Sequence, residues 1–190
     1  MDNPPQRSSV IEADGISVKI DFGLRIASLR YFDAAGGFAG AVREILGRPL
    51  PQPLHAVRID GLADDAHAHC ILAWRSPTET LFLSSDVGPF NDVERRLADA
   101  PGGCLVNQTG GIRALRVRGS RTRDLLLRLG APTAIPGLGE ARSSRLAELQ
   151  VLVVCVQSDE LILLVERVYA DHLLEWMAVT VADLWTRTAH

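Results

Sequence analysis

Lysine is almost missing from this 190-residue sequence: of its twenty basic residues only Lys19 is a lysine, and the rest are arginines. A GC-rich genome explains such a bias. The alternative is that planar, fork-shaped guanidinium donors are needed for the carboxylates of a partner or the phosphates of a ligand. Because the formal net charge is −3, the chain as a whole has no electrostatic attraction to nucleic acid or to an acidic membrane.

Aromatic residues, cysteines and long apolar runs are also scarce. Aromatic residues make up 5% of the chain, too few to predict a stacking surface for single-stranded nucleic acid. The three cysteines are an odd number and suggest no disulfide framework, which favours a reducing compartment. No apolar run approaches the ~20 residues of a transmembrane helix, and residues 1–9 are polar, unlike a secretion signal. We therefore predict a soluble cytoplasmic protein that binds neither membrane nor nucleic acid.

One supersecondary unit occurs twice along the chain. Two short apolar runs, residues 149–156 and 161–165, are separated by a polar turn and predict an antiparallel hairpin. Residues 70–74 and 81–83, followed by a helix with Pro89 near its first turn, show the same order a little over eighty residues earlier. The later hairpin is also followed by an amphipathic helix, whose expected apolar stripe comprises Tyr169, Leu173, Trp176, Met177, Thr180 and Leu184.

The repeat predicts an α+β fold made of two similar hairpin-plus-helix halves with antiparallel sheets. Residues 1–14 are expected to form a flexible tail, residues 15–100 the first half, and residues 103–190 the second half of one compact unit. The boundary is placed at the Pro-Gly-Gly sequence of residues 101–103. Further strands are expected at residues 16–20, 24–32 and 114–118, and further helices after Gly36-Gly37 and after Ser120, which is the expected N-cap.

No residue pattern typical of an active site is evident. Asp65, His67 and His69 would share one face of an extended segment, as zinc ligands can, but no fourth ligand accompanies them. The glycines at 110–111 and 137–139 lack the Lys-Ser/Thr of a phosphate-binding loop. We therefore predict neither a catalytic residue nor a metal site.

Arginines cluster in one segment of the second half. Asp124 is the only acidic residue among them, so the segment carries a local positive charge. One interpretation is a solvated face; the other is a surface that docks onto an acidic partner, since interfaces are enriched in arginine. The candidate partner-binding residues are Arg113, Arg116, Arg118, Arg121 and Arg123, with Arg128 beside them.

Several short motifs occur in a fixed order and spacing along the second half: LVNQT at 105–109, ALRVRG at 114–119, RDLL at 123–126, SRLA at 144–147, LLVER at 163–167, YAD at 169–171 and LEW at 174–176. By their order and spacing, the second half resembles the gamma subunit of heterotetrameric sarcosine oxidase. In the first half, residues 72–83 (LAWRSPTETLFL) fit the family's pattern of an apolar strand, a proline turn and a second strand.

The resemblance implies a non-catalytic subunit with a fold similar to the folate-binding domain of glycine-cleavage aminomethyltransferases. Related complexes oxidatively demethylate N-methyl amino acids and can pass the one-carbon unit to tetrahydrofolate. The implied partners are larger flavin-bearing alpha and beta subunits and a small delta subunit. The chain itself is expected to hold no cofactor, while FAD, FMN, NAD and tetrahydrofolate are implied for the complex.

The resemblance also marks one turn as a candidate ligand-binding position. Asn107 stands where the family usually has Asp, and Thr109 where it usually has Ser. Both residues keep hydrogen-bonding ability, while the first position loses a charge. The alternative function is a stand-alone tetrahydrofolate-binding protein of one-carbon transfer that uses the cleft between the halves; a folate-binding site there is expected to have a carboxylate for the pteridine ring, which Asn107 does not supply.

Overall fold

The computed structural model describes residues 10–13, 15–61 and 69–186. Within them the chain forms eleven strands, four α-helices and two short 3₁₀ turns. The strands are β1 (Val10–Ala13), β2 (Ile16–Asp21), β3 (Arg25–Tyr31), β4 (Ala56–Asp60), β5 (His69–Ser76), β6 (Glu79–Ser84), β7 (Gly103–Asn107), β8 (Ile112–Arg118), β9 (Glu140–Leu146), β10 (Leu149–Gln157) and β11 (Glu160–Glu166). The helices are α1 (Gly37–Leu46), α2 (Val87–Leu97), α3 (Thr122–Leu129) and α4 (Ala170–Thr186).

The strands form two antiparallel sheets. Sheet A has six strands in the order β1-β2-β8-β11-β10-β9, and sheet B has five in the order β4-β5-β6-β3-β7. The two predicted hairpins are β5–β6 and β10–β11. None of the α-helices in the described ranges is long and apolar enough to cross a membrane.

Two strand pairings join the halves across the boundary expected at residues 101–103. Strand β2, from the first half, pairs with β8 of the second, and β7, from the second half, pairs with β3 of the first. The expectation of a flexible tail up to residue 14 is corrected in part, because β1 pairs with β2 through residues 10–13. The halves therefore exchange edge strands, which adds backbone hydrogen bonds between them.

Local signals place the helix ends of α1 and α2. Gly47 adopts a left-handed conformation with φ of 65° after α1, where a residue with a Cβ would be strained. Asp86 caps α2 by accepting a hydrogen bond from the Gly88 amide at 2.8 Å. The prediction that Ser120 is the N-cap of α3 is wrong. Arg121 holds that position, and no side chain caps the helix.

The apolar stripe of α4 is also displaced from its predicted position. Leu173, Met177 and Leu184 are buried as expected, but Tyr169 and Trp176 are 46% and 50% exposed. Each helical residue turns the side-chain direction by about 100°, so Trp176, one residue before the buried Met177, lies at the border of the stripe. The structure fills the remaining inward positions with Ala170, Leu174 and Val181.

Three apolar clusters stack the elements in layers. One packs sheet A against α3 and α4, and a second packs sheet B against α1 and α2. The third lies between the two sheets and contains side chains from both. The order of layers is therefore helices, sheet B, sheet A, helices, and any site between the halves has to lie at the third cluster.

Candidate functional site

The space between the two sheets is mostly filled by the third apolar cluster. Its members alternate along their strands with residues that face the helices, as the period of two requires. The fully buried members from sheet A are Ala141, Val154 and Ile162, and those from sheet B are Ile71, Ala73 and Leu83. Because these side chains meet directly, the centre of the interface is apolar and closely packed.

A small cavity, here called the inter-sheet cavity, lies at the border of this cluster. Its volume is about 100 Å³, below the ~300–1,000 Å³ usual for small-molecule sites. It is lined by Arg75, Leu81, Ile112, Ser143, Gln150, Leu152, Leu164, Val165, Glu166 and Tyr169.

Three polar side chains of the inter-sheet cavity already have partners in the protein. Arg75 Nη1 lies 3.3 Å from Glu79 Oε1, and Gln150 Nε2 donates to Ser143 Oγ at 2.7 Å. Each of these pairs is made within one sheet. The cavity thus offers a narrow apolar floor with a polar mouth, and room for a few atoms only.

The candidate ligand-binding turn at Asn107 and Thr109 connects β7 to β8 and is engaged in backbone contacts. Thr109 Oγ1 accepts from the Ile26 amide at 3.0 Å and donates to the Ile26 carbonyl at 3.3 Å. Asn107 Oδ1 accepts from the Thr109 amide at 3.1 Å. Neither side chain lines the inter-sheet cavity. The turn joins the two sheets, and the Thr109 hydroxyl is hydrogen-bonded to the β3 backbone.

The predicted arginine cluster is partly engaged within the chain. Arg113 places its guanidinium 5.8 Å from the centroid of the Phe22 ring and donates to the Thr109 carbonyl. Arg121 Nε lies 3.5 Å from Asp124 Oδ2, and Arg123 is exposed on α3.

Arg116, one of the predicted partner-binding residues, is buried in an ion-pair network and not exposed at the surface. Its Nε lies 2.6 Å from Asp21 Oδ2, and its Nη1 contacts Glu160, which is only 5% exposed and also pairs with Arg118. Burial acts to lower the pKa of the Arg116 guanidinium, but the carboxylates of Asp21 and Glu160 outweigh it and raise the pKa. The network holds two positive and two negative groups, so the buried charges compensate one another.

The three residues weighed as zinc ligands, and not predicted to be a metal site, are only partly within the described residues. Asp65 and His67 lie outside them, and His69 opens β5 with its amide bonded to Ser85 Oγ. Among the described residues, no group of three His, Cys, Asp or Glu is placed to hold a metal ion.

A wider surface groove, which the sequence did not indicate, lies where β3 ends and β7 begins. Its volume is about 680 Å³, and we call it the β3–β7 groove. Phe32 stands at its side with 93% of its surface exposed, and Cys104 is also exposed. Thr78, Glu79, Gly102 and Gly103 line it together with Arg30 and Tyr31. In the sequence, Phe32 is a single aromatic residue after a strand. Such a residue has no periodic pattern from which this groove could have been predicted.

Comparison with known proteins agrees with this architecture. The profile of the family described as "Sarcosine oxidase, gamma subunit family" matches residues 31–183. The chain belongs to the sarcosine oxidase gamma subunit family. The resemblance seen in the sequence is therefore confirmed, and it extends into the first half. No curated protein sequence gave a significant match.

Solved structures confirm the fold expected for this family. A chain of heterotetrameric sarcosine oxidase from Corynebacterium sp. U-96, in complex with pyrrole 2-carboxylate, matches 92% of this chain and 88% of its own length. The TM-score is 0.76 at 15% identity. Glycine cleavage system aminomethyltransferase T from Bartonella henselae matches 86% of this chain with a TM-score of 0.65 at 9% identity. The chain spans 45% of that aminomethyltransferase. The predicted α+β, aminomethyltransferase-like fold is confirmed.

Proposed function

We propose that the chain is the gamma-type subunit of a sarcosine-oxidase-like flavoprotein complex that oxidatively demethylates N-methyl amino acids in the cytoplasm. Membership of the gamma subunit family is the observation that carries this proposal. The subunit contributes surface and stability, while the chemistry takes place in other chains. The apolar packing between the sheets, where this fold could open a cleft, supports a structural role.

The proposed partners are larger alpha and beta subunits and a small delta subunit. FAD, FMN, NAD and tetrahydrofolate belong to the assembled complex and bind outside this chain. The small volume of the inter-sheet cavity supports that assignment, because a pteridine with its side chain needs more than about 100 Å³.

Purification from the native host tests the proposal. The chain, tagged at one end, is expected to retain larger subunits whose flavins are seen by absorbance, and the eluate should oxidise sarcosine or another N-methyl amino acid. A chain that elutes alone under conditions that preserve other complexes contradicts the proposal.

Calorimetry separates the proposal from stand-alone tetrahydrofolate binding. The isolated chain is expected to release no measurable heat with tetrahydrofolate, whereas the complete complex is the binding-competent form. Tight binding by the isolated chain would favour the one-carbon-transfer alternative instead.

A further inference from the structure

Four strands lie at the edges of the two sheets, and one of them differs from the rest in composition. Strand β1 contains Glu12, β4 contains Arg58 and Asp60, and β9 contains two arginines and Glu140. Strand β7, with the sequence GCLVN, has no charged residue and no proline. Proteins usually protect edge strands with charge, proline or a bulge, because an open edge pairs readily with another strand. Among the edges in the described part of the chain, β7 is the one without charge.

The register of β7 shows which of its backbone groups are free to pair. The Phe32 amide donates to the Gly102 carbonyl, and the Gln108 amide donates to the Ile26 carbonyl. Even-numbered residues of β7 therefore bond to β3, as the antiparallel alternation requires. The amides and carbonyls of Gly103, Leu105 and Asn107 point away from β3, toward the open side of sheet B. They form a ladder of donors and acceptors that matches an extended strand.

The β3–β7 groove lies at the start of the same strand. Its volume of about 680 Å³ accommodates large side chains, and the exposed Phe32 ring gives it an apolar wall. A strand added to β7 would place alternate side chains beside Cys104 and so toward this groove. The neighbouring charges are already satisfied in part, since Glu79 pairs with Arg75 and Ser28 Oγ donates to it.

We propose that the open edge of β7 and the β3–β7 groove form the docking surface for an extended strand of a larger partner subunit, with an apolar or aromatic side chain seated beside Phe32. The proposal rests on the proposed function, because it takes the complex to exist. A second copy of this chain fits less well. Its own β7 would present only Cys104 or Val106 at the positions next to the groove and would leave most of the volume empty.

The alkylation rate of Cys104 measures directly, in the wild-type complex, whether β7 is covered by a partner. Cys70 and Cys155 are buried, whereas Cys104 is exposed and reports on β7. In the purified complex, alkylation of Cys104 by N-ethylmaleimide is expected to be slower by about tenfold or more than in the isolated chain, because the reaction requires an accessible thiolate. Equal rates in the two samples overturn the proposal while leaving the proposed function intact.

Substitution at Leu105 tests the backbone ladder. Leu105→Pro removes an amide that points away from β3, so the pairing with β3 is retained while pairing with a partner strand is blocked. The matched control Leu105→Val keeps the amide and reduces the side chain. Association with the larger subunits is expected to weaken by about tenfold or more for Leu105→Pro and little for Leu105→Val. Circular dichroism checks that each variant is folded, and the Cys104 measurement needs neither variant.

A third substitution tests a different exposed apolar surface, on α4. Trp176, half exposed on α4, is changed to Glu. If Trp176→Glu dissociates the complex and Leu105→Pro does not, the docking surface lies on α4 and the proposal is wrong. A homodimer of the isolated chain that Leu105→Pro abolishes would assign the edge to a second copy and would also overturn it. A wild-type chain that recovers no larger subunit contradicts the proposed function and this proposal together.

Discussion

Arg116 and Asp21 are 95 residues apart in sequence, and their side chains meet at 2.6 Å, Nε to Oδ2, between neighbouring strands of sheet A. Glu160, from β11, accepts from the same guanidinium. The ion-pair network therefore links the strand exchanged from the first half, β2, to its neighbour β8 and to β11, the next strand of the sheet. Backbone pairing of β2 with β8 is thus accompanied by a charge interaction that is largely withdrawn from solvent.

Arg116→Met should destabilise the protein by about 3 kcal/mol, because it leaves the buried Glu160 with fewer donors, and breaking a buried pair costs more than removing both partners. Urea unfolding followed by circular dichroism measures the change. Arg123→Met, on the exposed face of α3, is the control and should change the free energy of unfolding by less than about 0.5 kcal/mol. Similar effects of the two substitutions would show that the network contributes little.

Thr109→Val should also destabilise the fold, by about 1–3 kcal/mol, because it removes the acceptor of the buried Ile26 amide while keeping the size of the side chain. Thr109→Ser retains the hydroxyl and is the matched control. Thermal unfolding of the two variants gives the comparison. A loss in Thr109→Ser with none in Thr109→Val would mean that the methyl contact, and not the hydrogen bonds to Ile26, is what matters at this turn.

Local signals were sufficient to predict much of the fold. Helix α1, with Gly47 after it, and the hairpins β5–β6 and β10–β11 follow from apolar spacing and turn residues within about ten positions. The exchanged strands could not be predicted in this way, because the pairing of β2 with β8 and of β3 with β7 depends on contacts between distant segments.

The candidate site was predicted less completely, for the same reason. Arg116 alternates with apolar residues, and Arg113 and Arg118 lie within three positions of it, so it was interpreted as part of a basic face. Its acidic partners come from β11 and the end of β2, and only the folded sheet brings them together. The β3–β7 groove likewise combines three segments, none of which has a distinctive sequence.

Alkylation of the isolated native chain should modify Cys104 and spare the other two thiols. Burial raises the pKa of the Cys70 thiol and also that of Cys155, so both have less thiolate and less access to reagent. Mass spectrometry after brief treatment at neutral pH should show one adduct per chain, and three after unfolding in guanidinium. The Cys104→Ser variant should show none while folded; rapid labelling of that variant would contradict the burial of the other two.

Stability should fall in acid partly through Glu140. The amide of Gly137 donates to this carboxylate at 2.8 Å, and Arg142 donates at 3.0 Å, which together lower its pKa from the ordinary value of 4.5. A lowered folded-state pKa contributes stability at pH above the unfolded value, and that contribution is lost as the pH falls through the folded value. Glu140→Gln should therefore lower Tm near pH 7 and have no such effect once the wild-type carboxylate is protonated. A Tm difference between Glu140→Gln and wild type that stays constant from pH 7 down to the pH at which Glu140 is protonated would refute the role of Glu140 in acid sensitivity.

Two glycines in and beside the helical layer of sheet B should respond in opposite directions to the same substitution. A Cβ on Gly103 would lie 2.5 Å from the Arg30 carbonyl oxygen and overlap the Phe38 ring, which packs against this face of β7. A Cβ on Gly40, inside α1, meets nothing within 4 Å. Gly40→Ala should stabilise the protein by about 0.5–1 kcal/mol, since alanine loses less backbone entropy in a helix. Gly103→Ala should instead lower Tm, because backbone cannot move aside as a flexible side chain can. Chemical unfolding of both variants gives the sign of the change in the free energy of unfolding. An unchanged free energy for Gly103→Ala would show that β7 shifts freely against α1.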